Sequence, residues 1–258
     1  MKSFLFVPSK AKMLLKIPTF SADAYIIDLE DSIKESDKEV ALDDLCSFLK
    51  ENTLNNIFIR LDGNLIESEL SKLSSFNVFG FMIPKFEKPS NYNAFSHMLK
   101  GKKIIALVET PLGLTNIEEI AKSPMVDAIA FGAEDFSSSI GMKNLPTTLS
   151  FAKSMIVTYG KAYSKPVIDT PSFIIDNPNE LTKEIQESVD MGFDGKLAIH
   201  PNQIELINSL FHLFDLDYMK RVIDVYEKTG EAVVVIDGHV YEKMHIAHFK
   251  RIIKEHKE

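Results

Sequence analysis

The sequence has one cysteine, no tryptophan and no long apolar run among its 258 residues. Because Cys46 is alone, the chain can form neither an intrachain disulfide nor a zinc site built on cysteines. The first apolar run, Phe4–Val7, is shorter than the hydrophobic region of a signal peptide. No later run approaches the ~18 residues that a membrane span needs. We therefore expect a soluble, cytoplasmic protein without a membrane partner.

Positive charge is also scarce. The 29 lysines and arginines face 37 aspartates and glutamates, which gives a formal net charge of −8, and no dense basic block occurs. Duplex nucleic acid is therefore excluded as the main partner, since phosphate binding requires a basic surface. A small anionic substrate would need a local cation, either a side chain or a bound metal. The 45% hydrophobic content is enough for the core of one globular domain.

Short apolar runs alternate with helix-like segments along the chain, as they do in parallel βα units. The runs are apolar almost throughout, which is typical of a parallel sheet covered by helices. They are Phe4–Val7, Ala24–Leu29, Ile57–Leu61, Phe79–Ile83, Ile104–Val108, Ala128–Phe131, Val167–Ile168 and Gly195–Ile199. Eight such units in roughly 200 residues predict a (β/α)8 TIM barrel. A doubly wound sheet is the weaker alternative, because the turn Pro8-Ser9-Lys10 has no glycine.

The remaining segments indicate how the chain is organised. We assign residues 1–215 to the barrel and residues 216–258 to a short, mainly helical C-terminal extension that packs on a neighbouring subunit. Ser36 and Glu39 have the spacing of a capping box before the second long helix. The polar stretch 137–146 is expected to be a mobile active-site loop, because it is rich in turn residues and lies in the longest gap between strands.

In a (β/α)8 barrel the functional side chains lie at the C-terminal ends of the strands. The residues that follow the apolar runs here are unusually polar. They are Asp28-Leu29-Glu30-Asp31, Arg60-Leu61-Asp62, Pro84-Lys85, Glu109-Thr110, Gly132-Ala133-Glu134-Asp135 and His200-Pro201. The convergence of several such strand ends at one mouth predicts the site better than any single residue does.

Glu109 and Asp135 are the best candidate metal ligands, because each lies just past an apolar strand. Mg²⁺ prefers oxygen ligands and usually takes one or two protein carboxylates. A divalent ion would also relieve the repulsion between neighbouring carboxylates. The alternative is that one or both cap the following helix or pair with Arg60 or Lys85.

Arg60 can bind a substrate carboxylate with its planar fork, or it can form a structural salt bridge with Asp28, Glu30 and Asp31. Asp28 and Glu30 are two apart on a strand, so at most one of Glu30 and Asp31 is expected to point inward with Asp28. We expect these three carboxylates and Lys85 to support the cation and its ligands from behind.

The turn that contains Gly132, Ala133, Glu134 and Asp135 has small residues where a backbone must approach something closely. Its N–H groups can hold an anionic ligand. The alternative is an ordinary tight turn between a strand and the next segment.

Several of these motifs occur together and in order. Phe6-Val7-Pro8, Ile27-Asp28-Leu29-Glu30-Asp31-Ser32, Met82-Ile83-Pro84-Lys85-Phe86-Glu87, Leu107-Val108-Glu109-Thr110-Pro111-Leu112-Gly113, Phe131-Gly132-Ala133-Glu134-Asp135 and Gly192-Phe193-Asp194-Gly195-Lys196-Leu197-Ala198-Ile199-His200-Pro201 carry the similarity. The chain resembles the citrate lyase β-subunit-like branch of the HpcH/HpaI aldolase family over nearly its whole length.

The resemblance implies a (β/α)8 barrel that binds Mg²⁺ through Glu109 and Asp135, with Arg60 contacting the substrate. It implies cleavage or formation of a carbon–carbon bond between an acyl thioester and a small oxo acid, as with citryl, malyl or citramalyl thioesters of coenzyme A. Two other functions stay open: a class II aldolase that acts on a free 2-oxo acid, and a binding or scaffold barrel that retains the metal site.

In related lyases a carboxylate in a C-terminal Gly-x-Met-x-Asp pattern reaches a neighbouring subunit and acts as acid/base. The corresponding position here is Glu242, which is longer by one methylene. The resemblance also suggests a homotrimer. At the first strand end many relatives carry a glycine and an arginine that help bind the thioester carrier, whereas this chain has Ser9-Lys10-Ala11-Lys12. Lys10 and Lys12 can still meet phosphates, but as point charges.

Overall fold

A computed structural model describes residues 1–143, 145–212 and 216–255 of the chain. The chain folds into two compact units, residues 1–208 and 209–258, and the division falls within one helix. The boundary expected from the sequence, between residues 215 and 216, lies at positions 213–215, outside the described residues.

The first unit is a closed barrel of eight parallel strands in the order of the sequence. The strands are β1 Ser3–Pro8, β2 Ala24–Asp28, β3 Ile57–Arg60, β4 Gly80–Ile83, β5 Lys103–Val108, β6 Ala128–Phe131, β7 Val167–Asp169 and β8 Gly195–Ala198. The barrel closes where Phe4 of β1 pairs with Leu197 of β8. All eight predicted strands are present, and the predicted (β/α)8 fold is confirmed.

Alternate residues of each strand point into the barrel, where they form an apolar core. This core comprises Phe4, Ala24, Ile26, Phe58, Met82, Ile105, Leu107, Ala130, Ile168 and Leu197. The other set of side chains points out toward the helices and is equally buried, as at Ile27, Ile59 and Phe81. Burial on both faces explains why the strands read as apolar runs rather than as alternating ones.

Helices connect and cover these strands. In chain order they are α1 Ala11–Leu14, α2 Lys38–Glu51, α3 Ile66–Leu73, α4 Ser96–Leu99, α5 Pro111–Thr115, α6 Ile117–Lys122, α7 Ala133–Ile140, α8 Pro146–Ala162, α9 Pro178–Asp190 and α10 Ile204–His212. Three-residue 3-10 turns lie at Ile17–Thr19, Glu35–Asp37 and Pro201–Gln203, and a seven-residue 3-10 helix lies at Pro89–Phe95. No helix among the described residues is long and apolar enough to cross a membrane.

Two local predictions are wrong. The capping box at Ser36 and Glu39 does not form, because a 3-10 turn precedes α2 and the Ser36 hydroxyl donates to Asp37 instead, at 2.8 Å. The stretch 137–146 is not one loop. Its first residues belong to α7, which buries Phe136 and Ser137 and ends at Gly141, a left-handed residue with φ of 74°. Position 144 of this stretch lies outside the described residues.

The second unit contains α11 Leu216–Thr229, a hairpin of β9 Val233–Ile236 and β10 His239–Glu242, and α12 Lys243–Glu255. The hairpin turn is Asp237-Gly238, and both residues have positive φ, as a tight two-residue hairpin requires. One face of the hairpin packs in a small core with residues of the two helices, including Val222, Val234 and Ile246.

Candidate active site

Every second side chain of a strand points into the barrel. This alternation continues past the strand ends, where the inward-pointing side chains become polar instead of apolar. Asp28 follows Ile26 by two positions on β2, and Arg60 follows Phe58 on β3. Glu109 and Gly132 extend β5 and β6 by the same step. These residues line a cavity of about 380 Å³ at the mouth of the barrel. The two-residue period of the strands therefore places these candidate site residues together on the wall of the cavity.

Arg60 is held by three carboxylates. Its Nε and Nη2 donate to the two oxygens of Asp28 at 2.7 and 2.8 Å, a bidentate pair. Its Nη1 lies 3.2 Å from Glu30 and 3.1 Å from Asp31. The guanidinium carbon lies 4.9 Å from the ring centre of Phe6. The salt-bridge alternative for Arg60 is thus realised, and the same side chain also lines the cavity.

The expectation that only one of Glu30 and Asp31 turns inward with Asp28 is wrong. Strand β2 ends at Asp28, and the N–H groups of Glu30 and Ser32 then donate to the Asp28 carboxylate at 3.0 and 3.1 Å. This turn abolishes the strand alternation, so both carboxylates reach Arg60. They differ in exposure: Glu30 is buried, whereas the side chain of Asp31 is 60% exposed.

Burial and ion pairing shift the pKa values in opposite directions. Burial raises the pKa of Asp28, but the hydrogen bonds and charge of Arg60 outweigh it, so the net shift is downward. Burial lowers the pKa of the Arg60 guanidinium, but the carboxylates of Asp28, Glu30 and Asp31 outweigh burial, so the net shift is upward. Burial raises the pKa of Glu30 despite Arg60 and Lys85. The cluster is therefore a fixed cation enclosed by carboxylates.

Lys85 joins this cluster to Glu109. Its Nζ binds Glu30 at 2.8 Å, and its main-chain N–H donates to Glu109 Oε1 at 2.8 Å. The backbone of Lys85 is left-handed, with φ of 46°, which is uncommon for a residue with a side chain. The sequence places Lys85 at the strand end, but only the structure shows that its backbone orients the candidate metal ligand.

Glu109 is only 2% exposed. Burial raises the pKa of its carboxyl to about 8, assisted by the negative charges of Glu30 and Asp135 and opposed by the N–H of Lys85. Asp135 lies in the first turn of α7 and lines the same cavity. A buried carboxyl that is destabilised by a neighbouring carboxylate is the situation that a divalent cation relieves.

Gly132 provides the space for this arrangement. A Cβ at Gly132 would lie 2.5 Å from Glu109 Oε2 and 2.7 Å from Glu109 Cβ, closer than real contacts allow. The side chain of Glu109 thus packs against the bare backbone of Gly132. No group of three His, Cys, Asp or Glu side chains suited to a metal occurs among residues 1–143, 145–212 and 216–255. The donor set of Glu109 and Asp135 fits Mg²⁺, which takes one or two protein carboxylates and fills its other positions with water or substrate.

The anion-binding role expected of the turn at residues 132–135 does not come from its first two amides. The Gly132 N–H donates to the Val108 carbonyl at 3.0 Å, and the Ala133 N–H donates to Thr170 Oγ1 at 3.2 Å. Glu134 and Asp135 are exposed and line the cavity. Glu242 belongs to the second unit, where it ends β10 as an exposed residue whose N–H donates to His245 at 3.0 Å.

Sequence reasoning missed two contributors to the mouth, Thr170 and Phe6. Thr170 follows Ile168 by two positions and Phe6 follows Phe4 in the same way. The alternation that identifies Asp28 and Glu109 would have found both. They were overlooked because neither carries a charge.

Behind the mouth, Glu69 offers a separate test of the electrostatics. Its carboxyl is buried in α3 and accepts the Asp62 N–H at 2.8 Å, and burial raises its pKa from 4.5 to about 8. Because the folded state keeps this proton longer than the unfolded chain, Glu69 makes the protein less stable as pH rises from about 4.5 to about 8.

Glu69→Gln can accept the same hydrogen bond without a charge. We expect the variant to exceed the wild type in unfolding free energy by about 1–3 kcal/mol at pH 8.

Urea denaturation of both proteins at pH 5 and pH 8 measures this difference. The stability gain should nearly vanish at pH 5, where both side chains are neutral. An equal gain at both pH values would show that Glu69 is ionised throughout.

The barrel and its mouth define a (β/α)8 protein with a candidate metal-assisted site for small acids. The chain belongs to the HpcH/HpaI aldolase/citrate lyase family, whose family model matches residues 2–201. The resemblance found in the sequence motifs is thereby confirmed.

Individual relatives agree with this assignment. A (3S)-malyl-CoA thioesterase of Cereibacter sphaeroides is 28% identical over 258 residues, covering 95% of this chain and 90% of the relative. The mitochondrial citramalyl-CoA lyase of Homo sapiens is 30% identical over 239 residues, with coverage of 81% and 70%. The crystal structure of CitE from Mycobacterium tuberculosis with magnesium and acetoacetate is 25% identical, has a TM-score of 0.71 and covers 81% of this chain and 90% of that one.

Proposed function

We propose that this protein is a Mg²⁺-dependent carbon–carbon lyase that cleaves a 3-hydroxyacyl thioester of coenzyme A into an acyl thioester and a small oxo acid. The observation that carries the proposal is that one cavity brings together the buried Glu109, the exposed Asp135 and the fixed cation Arg60. Membership of the family and relatives named for malyl-CoA and citramalyl-CoA support it.

In the reaction, the bond breaks between the carbon that bears the hydroxyl and the α-carbon of the thioester. The hydroxyl loses its proton to a base, its carbon becomes the carbonyl of the oxo acid, and the bonding electrons pass to the thioester as an enolate. Protonation of the enolate gives the acyl thioester. The site must therefore bind a carboxylate, stabilise an enolate, accept a proton from the hydroxyl and donate a proton to the enolate.

The residues of the mouth match these tasks. Glu109 and Asp135 would hold Mg²⁺, which supplies a Lewis acid for the hydroxyl and carboxylate oxygens of the substrate. Arg60 attracts the substrate carboxylate, and Asp28 keeps the guanidinium plane fixed by its bidentate pair. Phe6 and Leu107 line the same cavity and reduce its water content.

Coenzyme A is the proposed thioester carrier. Lys10 and Lys12 are exposed just after β1, at the same end of the barrel as the mouth. They offer two point charges for phosphate groups in place of an arginine fork.

The direct test is incubation of the purified protein with malyl-, citramalyl- and citryl-CoA and Mg²⁺, followed by quantification of the oxo acid. We expect oxo acid from at least one thioester, loss of its release with EDTA, and loss in Glu109→Gln. Glu119→Gln, on the exposed surface of α6, is the matched control and should retain full activity. Absence of an oxo acid from every thioester would contradict the proposal.

A thioesterase is the second candidate function, because relatives that are 28% identical over 95% of the chain carry that name. In that reaction Arg60 would orient the carboxylate of a malyl thioester for attack by water on the thioester carbonyl, and Mg²⁺ held by Glu109 and Asp135 would supply Lewis acidity. Hydrolysis releases free coenzyme A thiol and a hydroxy acid, whereas cleavage of the carbon–carbon bond releases an oxo acid and keeps the thioester intact.

We further propose that the active oligomer is a homotrimer in which Glu242 of one subunit completes the site of its neighbour as acid/base. The outer face of the hairpin supports this, since Val235 and Val240, paired across the strands, are 69% and 54% exposed beside Glu242. An apolar strand face of this kind favours burial against a second copy of the chain. The cytoplasmic location stays a prediction from the sequence.

Mixing two inactive variants tests the role of Glu242 across subunits. We expect Glu242→Gln and Arg60→Met to be inactive alone and to regain about a quarter of wild-type activity after co-refolding at equal amounts, since random mixing pairs an intact Arg60 with an intact Glu242 at that frequency. Activity of the mixture no higher than that of the single variants would contradict a site shared between subunits. Sedimentation of the wild type measures the oligomer itself.

A further inference from the structure

Lys38 is not one of the candidate site residues, but its side chain binds several groups behind the mouth of the barrel. It begins α2, where a lysine is normally solvated, but its side chain is only 10% exposed. Its Nζ lies 2.7 Å from the Leu29 carbonyl, 2.7 Å from the Glu30 carbonyl and 2.5 Å from Asp62 Oδ2. An ammonium has three N–H donors, so these three acceptors use all of them.

The acceptors lie on the two segments that enclose Arg60. Leu29 and Glu30 directly follow β2, and Asp62 follows β3 two positions after Arg60. Lys38 therefore joins the segment that carries Glu30 to the segment that carries Arg60. Asp62 is itself anchored, because its main-chain N–H donates to the buried Glu69 at 2.8 Å.

This link matters because the segment after β2 has left the strand ladder. Past the Leu29 N–H, which donates to the Arg60 carbonyl at 3.1 Å, the Asp28 carboxylate and Lys38 hold the main chain of the segment. The Ile33 N–H also donates to the Glu30 carbonyl at 3.2 Å, and Lys85 binds the Glu30 side chain at 2.8 Å. Glu30 and Asp31, which form ion pairs with Nη1 of Arg60 at 3.2 and 3.1 Å, lie on this segment. Removing the ammonium would take away the donor described for the Leu29 carbonyl and for Asp62 Oδ2, and one of two donors to the Glu30 carbonyl. The segment would move to solvate these groups.

We propose that Lys38 is a positioning residue for substrate carboxylate binding: it fixes Glu30 and Asp31 against Arg60 and so aims the guanidinium into the mouth without contacting the substrate. The inference rests on the proposed function, in which Arg60 receives the carboxylate of the oxo acid. It adds a residue whose effect should pass entirely through Arg60.

The test is a double-mutant cycle on pyruvate affinity, measured by calorimetry on the full chain in the presence of saturating Mg²⁺. Lys38→Met removes the charge while keeping an unbranched side chain, and we expect it to weaken pyruvate binding by about tenfold. In an Arg60→Met background the same substitution should change pyruvate affinity less than twofold, since the residue through which it acts is gone. Mg²⁺ affinity measured without pyruvate should change less than twofold in Lys38→Met, which separates aiming of Arg60 from general loss of structure.

Lys103→Met is the matched control. Lys103 also pairs with a carboxylate, Asp127 at 2.8 Å, but at the N-terminal end of β5. It should leave pyruvate affinity unchanged. If Lys38→Met does not fold, Asp62→Asn carries the same cycle, because it removes the charged acceptor and keeps the side-chain shape; we expect a loss of about threefold, again absent without Arg60.

Three outcomes overturn the proposal: unchanged pyruvate affinity in Lys38→Met, equal losses with and without Arg60, or a parallel loss of Mg²⁺ affinity. Failure of the proposed function gives a different result, since the wild type would then bind no pyruvate with Mg²⁺, or Arg60→Met would bind it as well as the wild type. In that case the role of Lys38 falls together with the role of Arg60.

Discussion

Gly132→Ala is expected to weaken Mg²⁺ binding by about 10–100-fold and to reduce lyase activity at least as much. The added methyl group would lie 2.5 Å from Glu109 Oε2 and 2.7 Å from Glu109 Cβ, so the candidate ligand must leave its place. The backbone of Gly132 needs no positive φ, with φ of −101°, so the effect would arise from contact with Glu109 and not from backbone strain. Calorimetric titration with MgCl₂ and the oxo acid assay measure the two quantities.

Gly63→Ala is the control for this prediction. Gly63 follows β3 at the same end of the barrel, but an added Cβ there meets only Pro84 Cγ, at 3.9 Å. This variant should bind Mg²⁺ like the wild type. Normal Mg²⁺ affinity in Gly132→Ala would show that Glu109 is not a ligand in the position described, or that it can hold the ion from another rotamer.

The second large effect is the pH dependence of Mg²⁺ binding. In the metal-free protein burial raises the pKa of Glu109 to about 8, with Glu30 and Asp135 adding to the shift. Below that pH the carboxyl carries a proton that Mg²⁺ must displace. The apparent affinity should therefore rise with pH by up to about tenfold per unit between pH 6 and 8 and level off above pH 8, with release of about one proton per ion at pH 7.

Calorimetry at several pH values, in buffers with different ionisation heats, gives both the affinity and the number of protons released. Glu30→Gln removes one of the charges that raise the pKa of Glu109, so its plateau should begin at a lower pH than in the wild type. Equal Mg²⁺ affinity from pH 6 to 8 without proton release would mean that Glu109 is ionised before the ion arrives.

The barrel and the location of its site were predictable from the sequence for one physical reason. Strands such as Ile57–Arg60 are buried on both faces, so they stand out as apolar runs, and the first polar residue after each run must lie at the mouth. Arg60 and Glu109 follow directly from this rule, whereas Asp135 is the second polar residue after its strand and follows Glu134. The rule works because the positions of the strand ends can be predicted from the sequence to within a few residues.

The contacts within the site were less predictable, because they depend on turns in which the strand period no longer applies. Glu30 and Asp31 both reach Arg60 only because the chain bends around the Asp28 carboxylate. The orienting N–H of Lys85 belongs to a left-handed backbone that no composition rule assigns to lysine.

The C-terminal hairpin was only partly predictable from the sequence. The β-branched run Val233–Ile236 predicts its first strand, and Asp237-Gly238 is a strong turn signal in the sequence. The second strand, His239–Glu242, is not evident from the sequence, because it has only four residues and no clear alternation of polar and apolar residues.

The central claim, cleavage of a carbon–carbon bond at this mouth, is tested most directly by the products formed from citramalyl-CoA and (3S)-malyl-CoA. Free thiol and 2-oxo acid are measured in the same reaction, with Glu109→Gln as the inactive control. We expect one 2-oxo acid per thioester consumed, an intact acyl thioester and no free thiol. Stoichiometric free thiol with a hydroxy acid and no oxo acid would contradict it and establish a thioesterase.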